Sequence, residues 1–153
     1  MAAPTATARG TVGGSMMTNG WPAKITFSTN PTIEFQEISV QPSAMDAGDP
    51  IDITTMHNLV YETFAPQCLE RWDDIVVVAG YDAAVLTEIQ ALIGITQSVT
   101  TAYPDGTTVA AWGYLRRAEP GTLVKNEMPQ ITLTVVITNY DPVNCVEAGP
   151  VLV

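Results

Sequence analysis

Histidine is almost missing from this chain: 153 residues contain one, His57. A catalytic triad needs Ser or Cys beside a histidine that an acid orients. His57 stands near Thr54, Thr55 and Asp52, and no Gly-x-Ser-x-Gly elbow occurs. Most acid–base and nucleophilic layouts are thereby removed, and the reading is not an enzyme. Bases are scarce as well. Six Lys and Arg stand against 16 Asp and Glu, a formal charge of −10. Gripping duplex DNA takes Lys or Arg that displace counterions from phosphates, so this chain cannot hold nucleic acid by its net field. Cysteine is limited to Cys68 and Cys145, 77 positions apart, neither a disulfide framework nor a paired metal motif. Free thiols in a reducing cytoplasm, packed as small hydrophobes, are expected. There is no charged start followed by an apolar core, and no run of about 18 apolar residues that could span a membrane. The expectation is a soluble protein made in the cytosol, with no membrane partner.

The remaining polar groups offer little chemistry. Zinc held by His57, Cys68 and Cys145 would lack paired spacing and a fourth donor. Asp46, Asp49 and Asp52 are spaced i, i+3, i+6, which is not the pattern of an EF-hand calcium loop. Asp73 and Asp74, as strand neighbours, point to opposite faces and cannot converge as a glycosidase pair. Gly13-Gly14 lacks the Lys and helix of a phosphate cradle. No cofactor or metal is expected.

What the chain does have is β patterning. Hydrophobic residues make up 46% and charged residues 14%, which fits one globular domain with a surface of Thr, Ser, Asn and Gln. Residues 1–20 form a Gly-rich arm without period, and residues 21–140 the domain. Trp21 to Ser28 reads as a strand. In Thr32 to Gln41, Ile33 and Phe35 share one parity and Ile38 and Val40 the other, a slip at Gln36-Glu37 that predicts a bulge. Gly48-Asp49-Pro50 makes a turn, and Ile51 to Met56 alternates as a strand with one wet face. From His57 to Arg71 alternation fails, with Tyr61, Phe64 and Pro66 spread through a contact loop over residues 57–72. Asp74 to Tyr81 is apolar on both faces, a buried strand. Asp82 caps a helix over Ala83 to Ile93 that Gly94 stops. Pro104-Asp105-Gly106 joins Ile95 to Tyr103 and Thr107 to Arg117 as a hairpin. There Val109, Ala111 and Leu115 face inward, and Trp112, Tyr114 and Arg116 face another layer, either the helix or a neighbouring subunit. Gln130 to Thr138 ends the sheet, with Ile131, Leu133, Val135 and Ile137 inward. Residues 141–153 form a peripheral tail. The fold class is mainly β with one helix, a β-sandwich or half-barrel of about seven to eight strands.

Gly48, Asp49, Ile51, Asp52, Thr54 and Thr55, then Phe64-Ala65-Pro66, Val76 to Tyr81 feeding Asp82, and the run Ile131 to Thr138 resemble the major tail tube protein of long-tailed, siphovirus-like phages. The likeness covers most of residues 20–140; Pro66-Gln67-Cys68 departs from the usual small-residue loop centre. It implies a virion protein, assembled in the host cytoplasm, whose six-membered rings join their sheets into a barrel and stack into a tail tube for DNA ejection. Its partners would be copies of itself and other tail proteins, with double-stranded DNA as non-sticking cargo in the lumen. Nine acids from Glu34 to Asp74 face only Arg71, a local charge of −8, and six chains of −10 would give a ring −60. Glu34 and Asp52, each alternating with apolar neighbours, are expected in the lumen. Asp46, Asp49, His57, Tyr61, Glu62, Phe64 and Arg71 are expected at subunit or ring contacts. The alternatives are a tail-terminator or tail-tip ring, a tube of a phage-derived particle, or an exported carbohydrate-binding sandwich using Trp112 and Tyr114.

Overall fold

Alternation with period two fixes the main sheet. In the computed structural model, which describes residues 23–153, every strand of that sheet with an apolar parity turns it to one side. The sheet has seven strands. In chain order the elements are β1 (Lys24–Phe27), β2 (Gln36–Gln41), β3 (Met45–Asp46), β4 (Ile51–Asp52), β5 (Phe64–Ala65), β6 (Arg71–Trp72), β7 (Ile75–Gly80), α1 (Ala83–Leu92), β8 (Gln97–Ala102), β9 (Thr108–Pro120), β10 (Gln130–Ile137), β11 (Tyr140–Asp141), β12 (Val146–Glu147) and β13 (Val151–Leu152). The sheet runs β1-β8-β9-β10-β7-β2, with β13 added alongside β9, and all its ladders are antiparallel. The protein is mainly β, sandwich-like, with one helix.

Ile75, Val77 and Ala79 of β7, Val99 of β8, Ala111 and Leu115 of β9, and Ile131, Leu133, Val135 and Ile137 of β10 line the inner side. Ile25, Phe27, Ile33 and Phe35 complete it. Phe27 and Phe35 meet edge to face at 5.9 Å and 71°, the arrangement ring quadrupoles favour. Each such fully buried side chain contributes about 1.5–3 kcal/mol relative to exposure.

Helix α1 packs on this same side through Ile89 and Leu92. Asp82 caps it, its carboxylate accepting from Ala84 N at 2.9 Å. Ile93 at the C-cap is already extended and turned outward, and Gly94 at φ 79° completes the stop. The helix therefore does not cover the Trp112–Tyr114 face, as one sequence option had it; that face looks away from the core and stays half-exposed.

A bulge exists, but at Ile38 and not at Gln36-Glu37, so Ile38 and Val40 do not share a face. Glu37 pairs with Ala79 and Ser39 with Val78, leaving Ile38 extra, half-exposed, while Val40 returns to the core. A second bulge falls at Arg116, between Leu115↔Val135 and Arg117↔Thr134. The strand Gln130–Ile137 does not end the sheet; it lies between β9 and β7. β9 is long enough for β10 to pair only its second half, and the chain terminus pairs beside its first, Val151↔Ala110 and Leu152↔Val109. The sheet's outer strands, β1 and β2, curl toward each other, and Ile25 N donates to Glu37 Oε1 at 3.4 Å across the seam. No ladder joins them among the described residues.

Candidate functional site

One segment leaves this body. Between β2 and β7 the chain runs out and back as a narrow arm over residues 44–73. Met45↔Trp72 and Asp46↔Arg71 pair near its root, and Ile51↔Ala65 and Asp52↔Phe64 farther out. At the root Ser43 Oγ donates to the Asp73 carbonyl, and Asp73 N donates to Ala44 O at 2.9 Å. Arg71 reaches Asp73 at 3.2 Å and Asp46 at 3.8 Å, exposed pairs worth about 0–1 kcal/mol each.

The expected half-buried strand Ile51 to Met56 is corrected here. Its alternation is real, but no layer lies against it: Ile51 and Ile53 are about half exposed and Met56 is fully so. Thr54 Oγ1 accepts from Thr63 N at 2.9 Å and Ile53 N donates to Thr63 O at 2.9 Å, continuing the ribbon to its tip. At the tip Asn58 N donates to Thr55 O at 3.0 Å, and Asn58 Nδ2 donates to Tyr61 O at 2.8 Å and Thr63 Oγ1 at 3.1 Å. Sequence reading passed over Asn58, which ties the tip together. It also missed Leu59 (94% exposed) and Val60, which with Tyr61 make the tip apolar; their signal was a Leu-Val-Tyr run where alternation had failed.

The other expected site residues are placed as follows. His57, Tyr61 and Glu62 stand exposed at the tip, Phe64 and Asp52 face each other across the ribbon, and Asp49 lies in the turn that Gly48 opens at φ 77°. Asp46 accepts from Gly48 N and Asp52 from Thr54 N, both at 2.8 Å. The Thr54 hydroxyl and then its amide hold the Asp52 carboxyl below the usual value of 3.8. Asp52 does not oppose a core face, because Ile51 and Ile53 are exposed. Glu34 does, exposed between buried Ile33 and Phe35 on the main body. The arm thus gathers every expected contact residue, and Glu34 lies apart from it.

Cys68 and Cys145 are both free and exposed, correcting the expectation that they pack as hydrophobes. Cys145 sits at φ 53° in the turn between β11 and β12, its Sγ facing Pro142 O at 3.8 Å. Among the described residues no three His, Cys, Asp or Glu are grouped to hold a metal. No described helix is long and apolar enough to cross a membrane. The arrangement presents a surface for contact.

A single curled antiparallel sheet with an inner helix and a projecting two-stranded arm defines the class of fold. Solved structures of similar fold include two from phage-derived particles. A chain of the virion of native gene transfer agent (GTA) particle aligns with TM-score 0.58 and 12% identity over 76% of this chain and 90% of that chain. A chain of the anti-feeding prophage (AFP) baseplate, 6-fold symmetrised, aligns with TM-score 0.57 and 12% identity over 100% of this chain and 97% of that one. No protein-family model matches the sequence, and no curated protein matches it.

Proposed function

We propose that this protein is a structural subunit of a phage tail or phage-derived tail-like particle. In this reading its rings of six stack into the tube that conducts DNA. The observation that carries the reading is the arm: residues 44–71 supply nothing to the subunit's own core, yet hold Met45, Met56, Leu59, Val60, Tyr61 and Leu69 in solvent. An exposed apolar projection of this kind is kept for a partner. The likeness to chains of two phage-derived particles supports a copy of the same chain as that partner. Glu34, on the wet side of the body, is proposed for the lumen, where its charge would keep DNA from adhering.

The baseplate chain, matched over 97% of its length, favours a second reading in which the subunit forms a terminal or tip ring instead of a long tube. Electron microscopy of the concentrated, purified protein tests both. Hollow tubes of stacked rings are expected; single rings favour the second reading, and monodisperse monomers at every concentration overturn both.

A further inference from the structure

Register puts a pair of opposite charges on the face of the sheet that looks away from the core. Residues 109–115 of β9 turn their odd-numbered side chains inward, and by that parity Arg117 and Glu119 would be buried. The extra residue at Arg116, between Leu115↔Val135 and Arg117↔Thr134, resets the alternation. Ala118, opposite Leu133, takes the core side, and Arg117 and Glu119 take the wet one. There Arg117 stands in a row with Thr134, Val76 and Gln41, and Glu119 in the next row with Thr132, Val78 and Ser39. Two residues apart on one face of a strand, the two side chains meet: Arg117 Nη2 lies 2.9 Å from Glu119 Oε1. The rest of both rows is uncharged. Arg116 is exposed beside them, and Glu34 and Asp74 flank the face at its two ends. Arg116 and Arg117 against Glu34, Asp74 and Glu119 leave −1, in a chain of −10. The acidity lies elsewhere, above all on the arm, where residues 44–73 carry six acids against Arg71, net −5.

Resting on the tube reading above, in which this face lines the bore together with Glu34, we propose that Glu119 sets what the bore lets pass: it keeps Arg117 from holding the phosphates of DNA. A free guanidinium offers a phosphate a forked pair of donors. Six of them around a ring would grip a duplex by releasing its counterions. With Glu119 in place each pair has no net charge, and what field it retains is screened beyond a Debye length of roughly 10 Å at 0.1 M salt. Glu119 is a positioning residue that acts through Arg117 and touches no cargo itself. The bore is thus slippery through local compensation, not through a dense acidic wall.

The test is Glu119→Gln, which keeps the side chain's shape and frees Arg117. Electron microscopy establishes whether tubes form, and retention of short duplex DNA by purified tubes is then measured against salt. Wild-type tubes should retain none. Glu119→Gln tubes should retain the duplex at low salt, and with all six Arg117 of a ring on phosphates the affinity should fall about a thousandfold between roughly 50 and 200 mM salt. Arg117→Glu with Glu119→Arg, the same pair reversed, should again retain none. So should Glu88→Gln, an equal charge change on the exposed side of α1, which packs on the core side of the sheet. Retention by wild-type tubes or by the reversed pair, equal retention by Glu88→Gln and Glu119→Gln, or none by Glu119→Gln tubes overturns the role of Glu119 and leaves the tube reading standing. Glu119→Gln chains that form no tubes where wild type does would assign the pair to assembly and overturn it as well. Absence of tubes in every variant, wild type included, overturns the tube reading and this role with it.

Discussion

Asp46, Asp52, Asp82, Asp105 and Asp141 each accept a hydrogen bond at 2.8–2.9 Å from the backbone N–H two residues on. A side chain that mimics a turn in this way fixes the path of the chain where it leaves a strand or enters a helix. Five of the 16 acids are thus structural before any long-range field is considered. Asp141, buried, is held most firmly: Asn144 Nδ2 donates at 2.7 Å, with Val143 N and Asn144 N behind it, and these bonds keep the carboxyl below 3.8. A depressed carboxylate stabilises the fold above its unfolded value, and loses that contribution as pH falls through the lower folded one. The turn should therefore stay closed as pH falls through the ordinary carboxylate range; amide exchange at Val143 and Asn144, taken relative to the intrinsic rate at each pH, should accelerate only below that range. Acceleration already near pH 5 would contradict this. Gly113 is the other residue with no freedom. A Cβ there would lie 2.5 Å from the Val136 carbonyl oxygen, between two paired strands, so Gly113→Ala should cost about 1–3 kcal/mol, read as a lower urea midpoint.

Elements differ in how much of them the sequence discloses. Helix α1 was legible at both ends, because Asp82 and Gly94 act locally. The β8–β9 hairpin was legible for the same reason: Asp105 accepts from Thr107 N, and Gly106 adopts φ 91°. Strand β7 was legible because burial on both sides needs apolar residues at both parities. The Ile51 to Met56 stretch shows the limit. Alternation reports that two faces differ, not that a layer exists to cover one of them, and among the described residues β4 pairs with β5 alone. Two-stranded ribbons are marginal alone, so this arm's place depends on its root and, in the proposed assembly, on a neighbour. Deleting Glu62 to Glu70 removes β5 but no core residue. The variant should keep its unfolding free energy within about 0.5 kcal/mol and still fail to polymerise by light scattering. Tubes formed at the normal rate would remove the arm from the assembly contact.

At the scale of the whole molecule, charge and shape divide the labour. Arm acids sit on a projection, whereas Glu34 sits on the body beside buried Ile33 and Phe35, so of the two acids expected in the lumen Glu34, and not Asp52, tests whether the bore of the proposed tube repels DNA. Glu34→Lys changes the charge by two per subunit, twelve per ring of six, without touching the arm or the core. Tubes should still form. Their lumen would now offer cations to phosphates, and each phosphate contact adds about 0.9 to the slope of log affinity against log salt. Purified Glu34→Lys tubes should retain short duplex DNA at low salt and release it as salt rises, whereas wild-type tubes retain none. Asp105→Lys makes the same charge change at the β8–β9 turn and serves as the control. Equal retention by the two variants would mean that net charge alone sets the effect and that Glu34 does not face the bore.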